Sequence, residues 1–117
     1  MITLYGIANC DTIKKTRLWL DAHGVVYHFH DYRKQGIDAA LCNTLLDAVP
    51  LSTLINTRGT TWRGLSEQTR ANLTADNAAA LLQAWPAVIR RPLIQAPHGW
   101  LTSADADTLR TLLSPGS

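Results

Sequence analysis

Cys10 is the residue best placed in this sequence to do chemistry. It follows a short, apolar, β-prone stretch, Ile2 to Tyr5, which Gly6 ends, and it precedes a segment with helical periodicity. A residue just before the first helical turn meets backbone N–H groups that lack intrahelical partners, and the helix dipole adds positive potential there. Both favour a thiolate, the form of cysteine that attacks. Lys14 and Lys15 lie one turn on and add positive charge, while the neighbouring Asp11 carboxylate opposes it. Free cysteine is often only a small buried hydrophobe, but a strand-to-helix loop is a poor place to bury one. Cys42, the other cysteine, falls inside a helical pattern beside its apolar stripe and reads as a packed thiol. It is not expected to resolve a disulfide with Cys10. The chemistry predicted is therefore monothiol: a thiolate attacks a sulfur or an oxyanion, and an external thiol completes the cycle.

The rest of the composition narrows the class. A chain of 117 residues, 46% hydrophobic and 17% charged, is of the size and balance of one globular domain. The formal charge of +2 is small, and basic residues are scattered except at Lys14-Lys15 and Arg90-Arg91. That is no nucleic-acid stripe, but it suits a small anionic substrate. Two cysteines with no CxxC pair argue against a disulfide scaffold and a cysteine-rich zinc site. His28 and His30 alternate along a strand-like segment with no third ligand near, so neither a metal site nor a tightly bound cofactor is expected. No apolar run reaches the length of a membrane span, and the N-terminus lacks a signal-peptide pattern. A cytoplasmic protein without membrane contact is expected. With no coiled-coil heptads, a monomer is expected too.

The elements that must position Cys10 follow from periodicity. Thr12 to His23 reads as a helix with Ile13, Thr16 and Leu20 on one face, Trp19 beside them and Gly24 as its stop. Val25 to Tyr32 is rich in β-branched and aromatic residues and reads as a second strand, giving a βαβ unit. Asp38 can cap a helix to about Ala48, with the stripe Leu41, Leu45 and Ala48, and Cys42, Leu46 and Val49 alongside; Pro50 breaks it. Leu51 to Ile55 suggests another turn, Asn56 to Arg63 a loop, and Ser66 to Asn72 a short helix. Thr74 is expected to cap a helix to Trp85, with Ala78, Leu81, Leu82 and Trp85 inward, and Pro86 to stop it. Leu93 to Gln95 and Trp100 to Thr102 flank Ala96-Pro97-His98-Gly99 as a β-hairpin. Ser103 then caps a last helix with Ala106, Leu109 and Leu112 on one face. The order βαβ, helical insert, ββα predicts one α/β domain over residues 1–117: a four-stranded mixed sheet of thioredoxin-like plan, with a helical insert at about 37–86.

Four stretches of the sequence resemble one known group. They are Tyr5-Gly6-Ile7-Ala8-Asn9-Cys10-Asp11-Thr12, followed by Lys14-Lys15 and Trp19-Leu20; His30-Asp31-Tyr32-Arg33-Lys34; Leu54-Ile55-Asn56-Thr57-Arg58-Gly59-Thr60-Thr61-Trp62-Arg63; and Ile89-Arg90-Arg91-Pro92-Leu93-Ile94. In this order they resemble the ArsC/Spx-related, arsenate-reductase-like proteins, and most of all their YffB-type branch. The resemblance implies a thioredoxin-like fold in which Cys10 is the reactive residue, with Arg91 as its catalytic partner and Pro92 cis beside it. It places Arg58, Pro92, Asn9 and Lys14 in substrate binding. The guanidinium of Arg91 fits this role, since a planar, permanently charged fork suits carboxylates and oxyanions. Arg63 and Arg90 read as surface or structural charges.

The resemblance implies a glutathione-dependent thiol oxidoreductase, with glutathione or another small thiol as co-substrate and glutaredoxin as a further partner. Two alternatives stand beside it. One is arsenate reduction, but the family's arsenate reductases resemble a different first loop, with Asn where Ile7 stands here. They also carry an Arg in the hairpin after the proline, where this chain has His98-Gly99-Trp100-Leu101, and their middle-loop Arg falls nearest Asn56, with Arg58 two residues on as a shifted substitute. The other is a protein-binding transcriptional module like the Spx regulators, whose CxxC switch is absent here because Ile13 occupies its last position.

Overall fold

The structure, a computed structural model, describes residues 2–97 and 99–113. Its four strands are β1 (Ile2–Gly6), β2 (Tyr27–Asp31), β3 (Leu93–Ala96) and β4 (Gly99–Leu101), in the sheet order β2-β1-β3-β4. β1 and β2 run parallel and are joined by helix α1 (Asp11–Ala22). β3 is antiparallel to β1, and β4 to β3. Helix α8 (Ala106–Arg110) and a 3-10 turn at Thr111–Leu113 follow. This is the mixed α/β, thioredoxin-like arrangement that the pattern of elements predicts. The hairpin residue His98 lies outside the described residues.

Alternation along the strands separates two faces of the sheet. Leu4 and Ile94 join Ile13, Leu20, Ala96, Leu109 and Leu112 in one buried cluster, against which Cys10, Trp19 and Phe29 pack. The inward face of α1 is the expected one, Ile13, Thr16 and Leu20. Buried Thr16 is satisfied locally, its hydroxyl donating to the Thr12 carbonyl at 2.7 Å. The opposite face carries Tyr5, whose ring stacks 5.6 Å from Trp100 and sits 5.3 Å from His30. Gly24 ends α1 with φ +67°, which glycine adopts without strain.

β2 is shorter than the stretch Val25 to Tyr32. Its ladder covers only the five residues opposite β1, and the chain then turns into a short helix α2 (Tyr32–Gln35). Asp31 makes that turn: its carboxylate accepts the Arg33 N–H at 2.8 Å, and its own N–H donates to the Gln35 side chain at 3.0 Å.

The chain groups into two compact units. The sheet with α1, α2 and α8 is one, and Gly36–Arg90 is the other. The second unit holds α3 (Ala39–Ala48), α4 (Leu51–Leu54), α5 (Thr60–Gly64), α6 (Glu67–Ala71), α7 (Ala78–Ala84) and a 3-10 turn at Pro86–Val88. Asp38 caps α3 as expected, accepting the Leu41 N–H at 2.8 Å. The buried side of α3 is rotated from the predicted stripe: Cys42, Leu45 and Val49 are buried, Leu41 is only half-buried and Ala48 is exposed. The Arg90 N–H and side chain tie to the Leu54 and Thr53 carbonyls at 2.7 and 2.6 Å, a structural role.

Four local expectations are corrected. Residues 60–64 form α5 rather than loop, opened by the Gly59 carbonyl accepting the Arg63 N–H at 3.2 Å; one turn rich in threonine shows no period in the sequence. Thr74 does not cap α7. Its N–H donates to Asn77 Oδ1 at 2.8 Å and Asn77 Nδ2 donates to the Asn72 carbonyl at 2.7 Å, so residues 74–77 close a local turn and the helix starts after Asn77. Trp85 is not inward but 47% exposed, because the helix has already ended at Ala84. Asp105, not Ser103, caps α8, accepting the Thr108 N–H at 2.8 Å while the Ser103 hydroxyl donates to the same carboxylate; the later start leaves Ala106 exposed.

Candidate active site

The register of the sheet fixes which segments meet at one end. Gly6 pairs with Asp31 across the parallel ladder, and Tyr5 pairs with Leu93 across the antiparallel one. So the loop 7–10 leaves β1, Asp31 closes β2, and Arg91-Pro92 enters β3 all at the same end of the sheet. Cys10, Asn9 and Lys14 belong to this end through the start of α1. Arg91 is half-buried, Pro92 is buried, and the bond between them is cis.

Cys10 is the N-cap of α1, with φ −130° and ψ 127°. Its carbonyl accepts the Lys14 N–H at 2.9 Å, the first bond of the helix, while its side chain makes no capping hydrogen bond. The sulfur is thus not committed to holding the helix. It is half-buried against the core cluster, Asn9 is exposed, and Lys14 is exposed one turn along, on the same side of α1 as Cys10. Two contacts hold the loop that carries the thiol. The Ala8 N–H donates to Asp31 Oδ2 at 3.3 Å. Gly6 lies against Ile13, where a Cβ would come within 2.8 Å of Ile13 Cγ1. Glycine therefore permits the close approach of β1 to α1 that sets the reach of residues 7–10.

The remaining candidates lie in the Gly36–Arg90 unit. Cys42 is fully buried within α3. Burial pushes its thiol above the ordinary range and the Asp38 carboxylate adds to this, opposed by a backbone hydrogen bond. Both cysteines are free. Arg58 is exposed in the turn between Asn56 and Gly59, whose N–H donates to the Asn56 carbonyl at 3.1 Å.

Two residues of the sheet unit had no role assigned from sequence. Asp31 is only 5% exposed and bonds the thiol loop; a lone acid ending a strand is the signal that marks it. Arg17 stands seven residues after Cys10, two helical turns along one face. Among the described residues no helix is long and apolar enough to cross a membrane.

Known proteins of the same build place the chain. A sequence profile of the ArsC family matches residues 5–112. A Haemophilus influenzae protein, described only as uncharacterized, is 42% identical over 94 residues, which are 80% of this chain and 82% of its own. The solved structure of a YffB protein superposes with a TM-score of 0.89 at 38% identity, covering 97% of this chain and 100% of that one. The solution structure of an arsenate reductase (ArsC) related protein from Brucella melitensis gives a TM-score of 0.77 at 39% identity, over 97% of this chain and 94% of that one. With nearly its whole length matched by the profile and by these structures, the chain belongs to the ArsC family.

Proposed function

We propose that this protein is a thiol oxidoreductase of the cytoplasm that uses Cys10 as its one nucleophile and glutathione as co-substrate. The observation that carries the reading is the position of Cys10: a half-buried N-cap whose sulfur is free of capping duty, at a sheet end that also receives Arg91-Pro92. Cys42, fully buried in the other unit, supports a monothiol cycle. The Cys10 thiolate attacks one sulfur of a glutathione mixed disulfide. It forms a Cys10–glutathione disulfide and releases the partner thiolate. A second glutathione thiolate then attacks the glutathione sulfur, releases oxidised glutathione and restores Cys10. Arg91 holds a carboxylate of the incoming thiol through charge-assisted hydrogen bonds, Asn9 and Lys14 flank the thiol, and Pro92 lies beside Arg91 at the entry to β3.

The test is turnover of a low-molecular-weight glutathione mixed disulfide, coupled to glutathione reductase. Wild type turns over. Cys10→Ser folds but does not turn over, because a hydroxyl is a far weaker nucleophile at neutral pH. Full residual turnover in Cys10→Ser overturns the reading.

A further inference from the structure

Beside the loop that carries Cys10, the sheet unit has a depression of about 360 Å³, lined by Ala8, Arg17, Phe29, Asp31, Lys34 and Gln35. Its donors are held ready. Arg17 Nε donates to the Tyr27 hydroxyl at 3.2 Å, and its guanidinium lies 4.5 Å from the Phe29 ring centroid. A cation so stacked keeps its charge while its rotamers are restricted. Among the described residues, the two terminal nitrogens of the fork have no acceptor and Arg17 makes no ion pair. Gln35 Oε1 accepts the Asp31 N–H, which leaves its amide nitrogen to donate outward. Asp31 contributes negative charge, but it is 5% exposed and its two oxygens take the Ala8 and Arg33 N–H groups. What the depression offers a ligand is thus Arg17, Lys34 and an amide donor. Arg17 stands two turns, about 10 Å along the helix axis, from Cys10.

The geometry points to a carboxylate subsite here: Arg17, Lys34 and Gln35 take one terminal carboxylate of glutathione while its sulfur is presented to Cys10. This rests on the glutathione reading above and specifies which residues hold the far end of the molecule. Glutathione carries a carboxylate at each end, several bonds from the sulfur. One end would be served by Arg91 and the other by this depression, on the far side of the thiol loop from β3. The planar fork of Arg17 matches a carboxylate, and Lys34 adds a second positive charge without demanding a fixed geometry.

The test uses S-methylglutathione, which cannot form a disulfide, titrated into the full-length wild-type protein and followed by amide chemical shifts. Shifts are expected at Ala8, Arg17, Lys34 and Gln35. Arg17→Gln with Lys34→Gln is expected to weaken binding about tenfold, as for charge-assisted contacts at an exposed site, and to leave the alkylation rate of Cys10 by neutral iodoacetamide within about twofold of wild type. The diethyl ester of the ligand, which also loses the carboxylate served by Arg91, is expected to bind wild type more weakly still and to be indifferent to the double substitution. If the free acid binds wild type with shifts elsewhere, or binds the folded double variant equally well, the subsite is wrong and the glutathione reading stands. If it does not bind wild type at millimolar concentration, the glutathione reading fails and takes the subsite with it.

Discussion

The Asp31 carboxylate accepts the backbone N–H of Ala8, two residues before the thiol, and so ties the end of β2 to the loop that carries Cys10. Removing the buried acid takes the acceptor from two donors, the Ala8 and Arg33 N–H groups. Asp31→Ala is expected to cost about 1–3 kcal/mol of stability in all, since Arg33 is exposed and water can serve its N–H. It is also expected to lower disulfide turnover about ten- to hundredfold through misplacement of the sulfur. Asp31→Asn keeps one acceptor oxygen and should fall between. Denaturant melts and the coupled assay on the same samples check both halves; an Asp31→Ala protein with wild-type turnover would contradict the bracing role.

Gly6→Ala should harm the site from the other side. The added methyl meets the side chain of buried Ile13, which can yield only by shifting α1 or leaving its rotamer. Overpacking of this kind costs about 1–3 kcal/mol. Gly6→Ala combined with Ile13→Val should recover part of the loss in a thermal melt, since the shorter side chain makes room. No recovery would mean the strain lies in the backbone.

Cys42 should give the protein a pH-dependent stability, and the two thiols should differ in labelling rate. Burial and Asp38 hold the Cys42 thiol above its ordinary range, so the folded protein favours the neutral form. That contribution is fully present below the ordinary thiol range and is lost as pH rises through it toward the raised folded value. Wild type is therefore expected to lose stability on the alkaline side more steeply than Cys42→Ala. Iodoacetamide should label Cys10 at least about tenfold faster than Cys42, which must first open to solvent. Equal labelling rates in the folded protein would contradict the assignment of the two thiols.

Arg91→Lys keeps the charge and removes the fork. KM for the glutathione disulfide should rise about tenfold with kcat little changed, the pattern of lost ground-state binding. Steady-state kinetics across ionic strength will show it. A fall in kcat with KM unchanged would instead put Arg91 at the reacting atoms.

Arsenate should be a poor substrate. An oxyanion approaching a thiolate needs several fixed donors, and each one missing costs about two to three orders of magnitude. The hairpin strand offers Gly99, Trp100 and Leu101, with no arginine. Robust arsenate turnover in a glutathione- and glutaredoxin-coupled assay would reverse this ordering.

Much of this was legible in the sequence where two signals agreed. The buried face of α1 and the break at Gly24 follow from period and punctuation together, and Asp38 was recognisable as a cap, although the apolar residues behind it on both sides of α3 left its buried face ambiguous. The elements misread were those in which a side chain outcompetes the nearest periodic pattern. Asn77 closes a turn ahead of Thr74, and Asp105 displaces Ser103 because a carboxylate two residues on can take both the Ser103 hydroxyl and the Thr108 N–H. At the site, Cys10 announces itself by position. Asp31 and Arg17 act through partners distant in sequence, Ala8 and Phe29, which only the ladder of β1 and β2 brings alongside.

The central claim, that one thiol forms a glutathione disulfide, is tested most directly by incubating the native protein with oxidised glutathione and mapping the adducts by mass spectrometry. The expected result is a single glutathione on Cys10, none on Cys42, and loss of the adduct when reduced glutathione is added. No adduct, an adduct on Cys42, or an internal disulfide between Cys10 and Cys42 would contradict it.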